Sequence, residues 1–132
     1  MHGQPPSDPI HEESIEIIEN LGRERKISQA ALIEFDLLMK SRGFSYSERI
    51  KTWSILKGLI SIEVIEILSP LDIIVATYLV EKYGMDYFDS LIASQCITRK
   101  ASPITTDKNI ESIVLKAQEI ITELRKLGIE IH

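Results

Sequence analysis

Apolar residues recur along this chain mostly at three- and four-residue intervals, the spacing that lines one face of a helix. Asp8-Pro9 reads as an N-cap followed by a proline at the first helical position, and Ile15, Ile18 and Leu21 carry that helix to Gly22. Residues 25–28 are expected to form a short strand. Ser28 then caps a second helix running to about Arg42, with Ala31, Leu32, Phe35, Leu38 and Met39 on its apolar face and Gly43 as its stop. Ser45 and Glu48 have capping-box spacing and open a third helix that carries Ile50, Trp53, Ile55 and Leu56.

The pattern changes at residues 61–68 (SIEVIEIL), where β-branched residues crowd together and predict a strand. Ser69-Pro70-Leu71-Asp72 is a helix start, with Gly84 as the stop. Asp86 caps a fifth helix from Tyr87 to about Arg99, and residues 102–105 form a short strand. Residues 108–127 then predict one long helix with an apolar stripe from Ile110 to Leu127, which should either pack on the sheet or mediate a dimer. Strands separated by helices of 10–15 residues imply right-handed crossovers and a parallel sheet. The expected architecture is a single three-layer α/β domain over residues 9–132, preceded by a flexible segment, residues 1–8.

Composition narrows the class. At 132 residues and 44% apolar content the chain can bury a core without a disulfide or structural metal. The single cysteine, Cys96, has no partner in the chain, which fits a reducing, cytoplasmic setting. No run approaches the ~18 apolar residues of a membrane span. The formal charge of −5 argues against broad, sequence-blind nucleic-acid binding but leaves room for a local basic patch.

Three acids stand out. Glu34 falls at the edge of the apolar face of its helix, where a carboxylate is costly unless paired, although a boundary glutamate can reach water. Asp36, by contrast, lies on the polar side, four residues before Lys40. Asp89 is the third residue of its helix if Asp86 is the cap, a position that complements the helix dipole. Asp107 directly follows a strand; it can cap the next helix, and it also stands where open α/β sheets present ligands.

The order and wording of these segments resemble one family. The run YFDSLIAS, then about a dozen residues, then ITTDKNI is similar to the PIN-domain signature, an aspartate opening a helix and a strand ending in a Thr-Asp turn. ISQAALIEFDLLMKSRG and LSPLDIIVATYLVEKYGM resemble the family's glutamate helix and the helix before its aspartate motif. The resemblance implies a Mg²⁺- or Mn²⁺-dependent ribonuclease of the PIN family, similar to the VapC-like toxins of toxin–antitoxin pairs. It implies Glu34, Asp89 and Asp107 as catalytic and metal-site acids, and Thr105 and Thr106 as the hydroxyl-bearing supporting turn. RNA as substrate and an antitoxin protein as partner follow from the same likeness, while a homodimer is expected from the apolar stripe of the last helix. The chemistry is coherent, because such ions take oxygen ligands and keep several waters.

Two features depart from the family pattern. A PIN domain is expected to open with a buried central strand ending in aspartate, and no apolar strand precedes His11; Asp8 sits in a proline-containing cap. The first family strand is therefore expected to be missing, with impaired catalysis, and either rearranged strands or a partner's segment should fill the gap. The long helix after Asp107 is the second departure. The alternative is a non-catalytic, degenerate PIN module that binds protein or RNA. Glu34, Asp89 and Asp107 should converge in space, and Asp36 and Asp86 should stay outside their cluster. Trp53 reads as core, and Arg99 and Lys100 as solvated charges.

Overall fold

Helix caps do much of the local work. The computed structural model describes residues 17–19, 24–105 and 107–131. Ser28 opens α1 (Gln29–Ser41) by accepting the Ala30 N–H on Oγ at 3.1 Å. Ser45 and Glu48 form the expected capping box of α2 (Tyr46–Leu59), with bonds of 3.1 and 2.7 Å. Ser69 and Asp72 form a second box at the start of α3 (Pro70–Tyr83), and Gly84 ends that helix at φ 66°, where a side chain would strain the backbone. Asp86 caps α4 (Tyr87–Arg99).

Four short strands make one sheet in the order β3-β2-β1-β4: β1 (Ile17–Glu19), β2 (Arg25–Ser28), β3 (Ile65–Glu66) and β4 (Ser102–Ile104). β2 and β3 pair in parallel, as expected. β1 pairs antiparallel with both β2 and β4, so three strands point one way and β1 alone is reversed. The helix expected over residues 9–21 is thus corrected at Ile17–Glu19, which is strand; residues 1–16 lie outside the described residues. Five residues separate β1 from β2, too few for the crossover that parallel neighbours require. β1 occupies an inner position of the sheet, between β2 and β4, in reversed direction.

The strand expected over 61–68 is mostly absent. Ser61 instead caps a 3₁₀ turn at Ile62–Val64, accepting the Glu63 N–H at 3.3 Å, and only Ile65–Glu66 pair. The single helix expected over 108–127 is also corrected. It is two helices, α5 (Lys108–Val114) and α6 (Ala117–Lys126). The Lys116 N–H bonds the Ile113 carbonyl, three residues back rather than four, and this tighter turn re-aims α6. Leu115 is left 84% exposed, while Ile120, Ile121 and Leu124 join Ile110 and Ile113 in the main core. Most of the apolar stripe is therefore packed within the chain, while Leu115 and Leu127 remain exposed.

The core centres on α4, in which every residue from Ser90 to Ile97 is buried. Leu91, Ile92, Ala93 and Ile97 meet Ala30 and Ala31 of α1, Val75, Ala76 and Leu79 of α3, and the apolar faces of α5 and α6. Ser90 and Ser94 are satisfied within their own helix, by the Tyr87 and Ser90 carbonyls, both at 2.6 Å. Cys96 is buried. A smaller cluster of Phe35 and Met39, with Phe44, Trp53 and Leu56 against it, holds α2 to α1.

One buried ionic network fastens the far end of α4. Asp72 is fully buried, and Arg99 grips it with two bonds, Nη1–Oδ1 at 2.7 Å and Nη2–Oδ2 at 2.9 Å. Thr98 Oγ1 and the Ser69 N–H also donate to that carboxylate. Arg99 reaches Glu66 and the Ile67 carbonyl as well, so it ties α4 to α3 and β3. Burial alone would push the Asp72 carboxyl up, but Arg99, Ser69 and Thr98 together hold it below its ordinary value. Arg99 is thus a structural cation, which corrects its reading as a solvated charge. Lys100 ends the helix in the left-handed region at φ 54°.

Candidate metal centre

The opposite, N-terminal end of α4 carries the acids. Asp86 Oδ2 accepts the Phe88 and Asp89 N–H groups at 3.1 and 3.2 Å, which leaves its carboxylate beside that of Asp89. Glu34, half-buried on α1, meets them there. Carboxylate oxygens of Glu34, Asp86 and Asp89 all lie within 4.8 Å of one another. The α4 dipole favours negative charge at this position. It does not remove repulsion among three carboxylates, which amounts to about 1–4 kcal/mol per pair depending on access to water.

Of the sequence candidates, Glu34 and Asp89 are therefore brought together. Asp107 stands outside this group of three. Its Oδ1 caps α5, accepting the Asn109 and Ile110 N–H groups at 2.8 and 3.3 Å. Thr105 supports that turn, its Oγ1 accepting the Asp107 N–H at 2.9 Å, while Thr106 lies outside the described residues. Asp36 is apart from the cluster, as expected, but it is not simply a surface partner of Lys40. It accepts from Arg49 at 2.6 and 3.2 Å and from Trp53 Nε1 at 2.8 Å, bonds that hold its carboxyl below the ordinary range.

Asp86 was expected to stay outside and does not. The cap spacing itself held the signal, because an aspartate at the cap and another three residues on share one end of the helix. Asp86 and Asp89 line a cleft of about 340 Å³ whose other wall includes Asn109, Ser112 and Lys116 of α5 and the turn after it. Lys116 Nζ sits over the Tyr83 ring, 5.3 Å from its centroid, so a cation is fixed at the rim of an acidic cleft.

One family matches most of the chain. The family model described as PIN domain matches residues 7–116. The chain belongs to the PIN domain family. No curated protein and no solved structure matches it. The PIN fold is a nuclease-type fold that generally works with a divalent metal, and the Glu34–Asp86–Asp89 group is an acid cluster of the right kind for one. All the donors are hard carboxylate oxygens from two rigid helices, which suits Mg²⁺ or Mn²⁺. Among the described residues, no helix is long and apolar enough to cross a membrane.

Proposed function

We propose that this PIN domain is a metal-dependent endoribonuclease of the cytoplasm, of the kind that serves as the toxin of a toxin–antitoxin pair. The observation that carries the reading is the convergence of Glu34, Asp86 and Asp89 within 4.8 Å, with the two aspartates lining a cleft. Glu34 and Asp89 are the primary ligands for Mg²⁺ or Mn²⁺, and Asp86 adds a third carboxylate while it caps α4. Asp107 contributes from the start of α5, with its turn held by Thr105.

The ion, when bound, makes an attacking water more acidic and neutralises charge on the scissile phosphate. The chain's own residues supply the rest. Lys116 and Asn109 line the same cleft and offer a cation and an amide to phosphate oxygens. The α4 N-terminus and the buried body of that helix hold the two aspartates on a rigid frame, so little reorganisation is needed on binding.

The test measures Mn²⁺ affinity by calorimetry and cleavage of single-stranded RNA by gel. Glu34→Gln and Asp89→Asn should each weaken Mn²⁺ binding about tenfold or more and abolish cleavage. Asp36→Asn should leave Mn²⁺ affinity unchanged, because its carboxylate is bonded to Arg49 and Trp53 instead. Cleavage that persists in Asp89→Asn, or survives EDTA, would sink the reading.

A further inference from the structure

A second cleft, of about 440 Å³, opens between α1 and α2 and is lined by Asp36, Tyr46, Arg49, Ile50, Trp53 and Lys57, among others. The α2 members fall at intervals of three and four residues, so they form one stripe along the helix. We propose that this cleft is a single-stranded RNA subsite, in which a base stacks on Tyr46 and Trp53 and Lys57 meets the adjoining phosphate.

Three observations carry it. The first is charge. The chain has a formal charge of −5, yet residues 40–57 hold five cations, Lys40, Arg42, Arg49, Lys51 and Lys57, against the single acid Glu48. With Glu34 and Asp36 of α1 included, the hairpin 29–59 is net +2 against −7 for the rest of the chain, and although Arg49 is paired with Asp36, this is the more basic face offered to an anionic polymer. The second is aromatic geometry. Trp53 is pinned by its Nε1–H bond to Asp36 at 2.8 Å and by an edge contact with Phe35, ring centroids 5.8 Å apart. Its ring is held ready, and Tyr46, 75% exposed two turns earlier, supplies a second π-face. Bases of any identity stack on such faces, and cations along the groove follow the backbone.

The third is position. Glu34 and Asp36 are two residues apart on α1, hence about 200° apart round the helix. The aromatic cleft and the acidic centre therefore flank a single helix, whose diameter with side chains is about 10–12 Å. One strand laid across α1 reaches both. The inference deepens the ribonuclease reading by giving the substrate of that site, and it rests on that reading only for the direction in which the strand runs.

Trp53 is the chain's only tryptophan, so it reports directly. A mixed-sequence single-stranded ribo-octamer is titrated into the whole chain in EDTA, where no cleavage occurs, and Trp53 fluorescence is followed. Saturable quenching is expected, weakened about tenfold by Tyr46→Ala. Lys57→Gln should reduce the slope of log affinity against log salt by about 0.7. Both side chains are exposed, so folding is spared. Absent quenching, or quenching unaltered in both variants, overturns the subsite; so does a Trp53 change that tracks protein concentration alone, which would make the cleft a protein interface. Because metal is absent, failure here is separate from failure of cleavage: the nuclease reading falls only if Mn²⁺-dependent hydrolysis is missing.

Discussion

Replacing Arg99 with alanine should be among the most damaging single changes in this protein, although Arg99 lies at the end of α4 remote from the acidic centre. Asp72 has no solvent exposure, and Arg99 supplies two of the bonds to its carboxylate, at 2.7 and 2.9 Å. Removing one partner of a buried pair leaves an uncompensated charge and costs about 3–5 kcal/mol. Against a total stability of about 5–15 kcal/mol, that is a fifth or more of what holds a typical domain together. For a chain of this length it corresponds to a fall in melting temperature on the order of 10–20 °C.

The pH dependence gives a second reading of the same contact. The folded Asp72 carboxyl is held below its ordinary value, so its stabilisation is fully present above the unfolded pKa and is lost as pH falls through the folded one. Without Arg99 the same burial pushes the carboxyl up, and protonation relieves the penalty, so the deficit of Arg99→Ala should shrink in acid. The assay is urea denaturation of the wild type, Arg99→Ala, Asp72→Asn and the double variant, at neutral pH and near pH 4. The double variant should be more stable than Arg99→Ala alone. A cost below about 1 kcal/mol for Arg99→Ala, or a double-variant cost equal to the sum of the singles, would refute the reasoning.

Three further outcomes are expected. Mn²⁺ at a hundred times its dissociation constant should stabilise the wild type by about 2.7 kcal/mol and leave the melting temperature of Asp89→Asn nearly unmoved, as read by scanning calorimetry. Ile120→Ala should cost about 2–5 kcal/mol because Ile120 is wholly buried, whereas Leu115→Ala, at 84% exposure, should stay within about 0.5 kcal/mol; comparable losses would mean that the turn between α5 and α6 is misplaced. Ser69→Ala should lose about 1 kcal/mol by removing the hydroxyl that accepts the Asp72 N–H, and equal stability in chemical denaturation would count against the cap.

Much of this protein is legible in its sequence because much of it is decided locally. Ser28, Ser45, Ser69 and Asp86 act within three residues of themselves, so the starts of α1 to α4 can be read from spacing alone. Gly43 and Gly84 stop helices for an equally local reason, positive φ at each. The acids Glu34 and Asp89 could be singled out by motif, one at the edge of an apolar face and the other in the first turn of its helix.

What the chain could not disclose depended on neighbours distant in sequence. Ile17–Glu19 has helical spacing around it, yet pairs as a strand because β2 and β4 present edges on either side. The break at Leu115 and Lys116 carries no glycine, proline or capping side chain, and only the core that receives Ile120 and Leu124 requires it. Arg99 looks like any helix-terminal cation until α3 brings a buried carboxylate to it, across 27 positions of sequence. Asp86 looks like a cap until α1 sets Glu34 beside it. Hydrogen bonds within a turn are written in a few adjacent residues; charges that meet across helices are placed by the packing of the whole core.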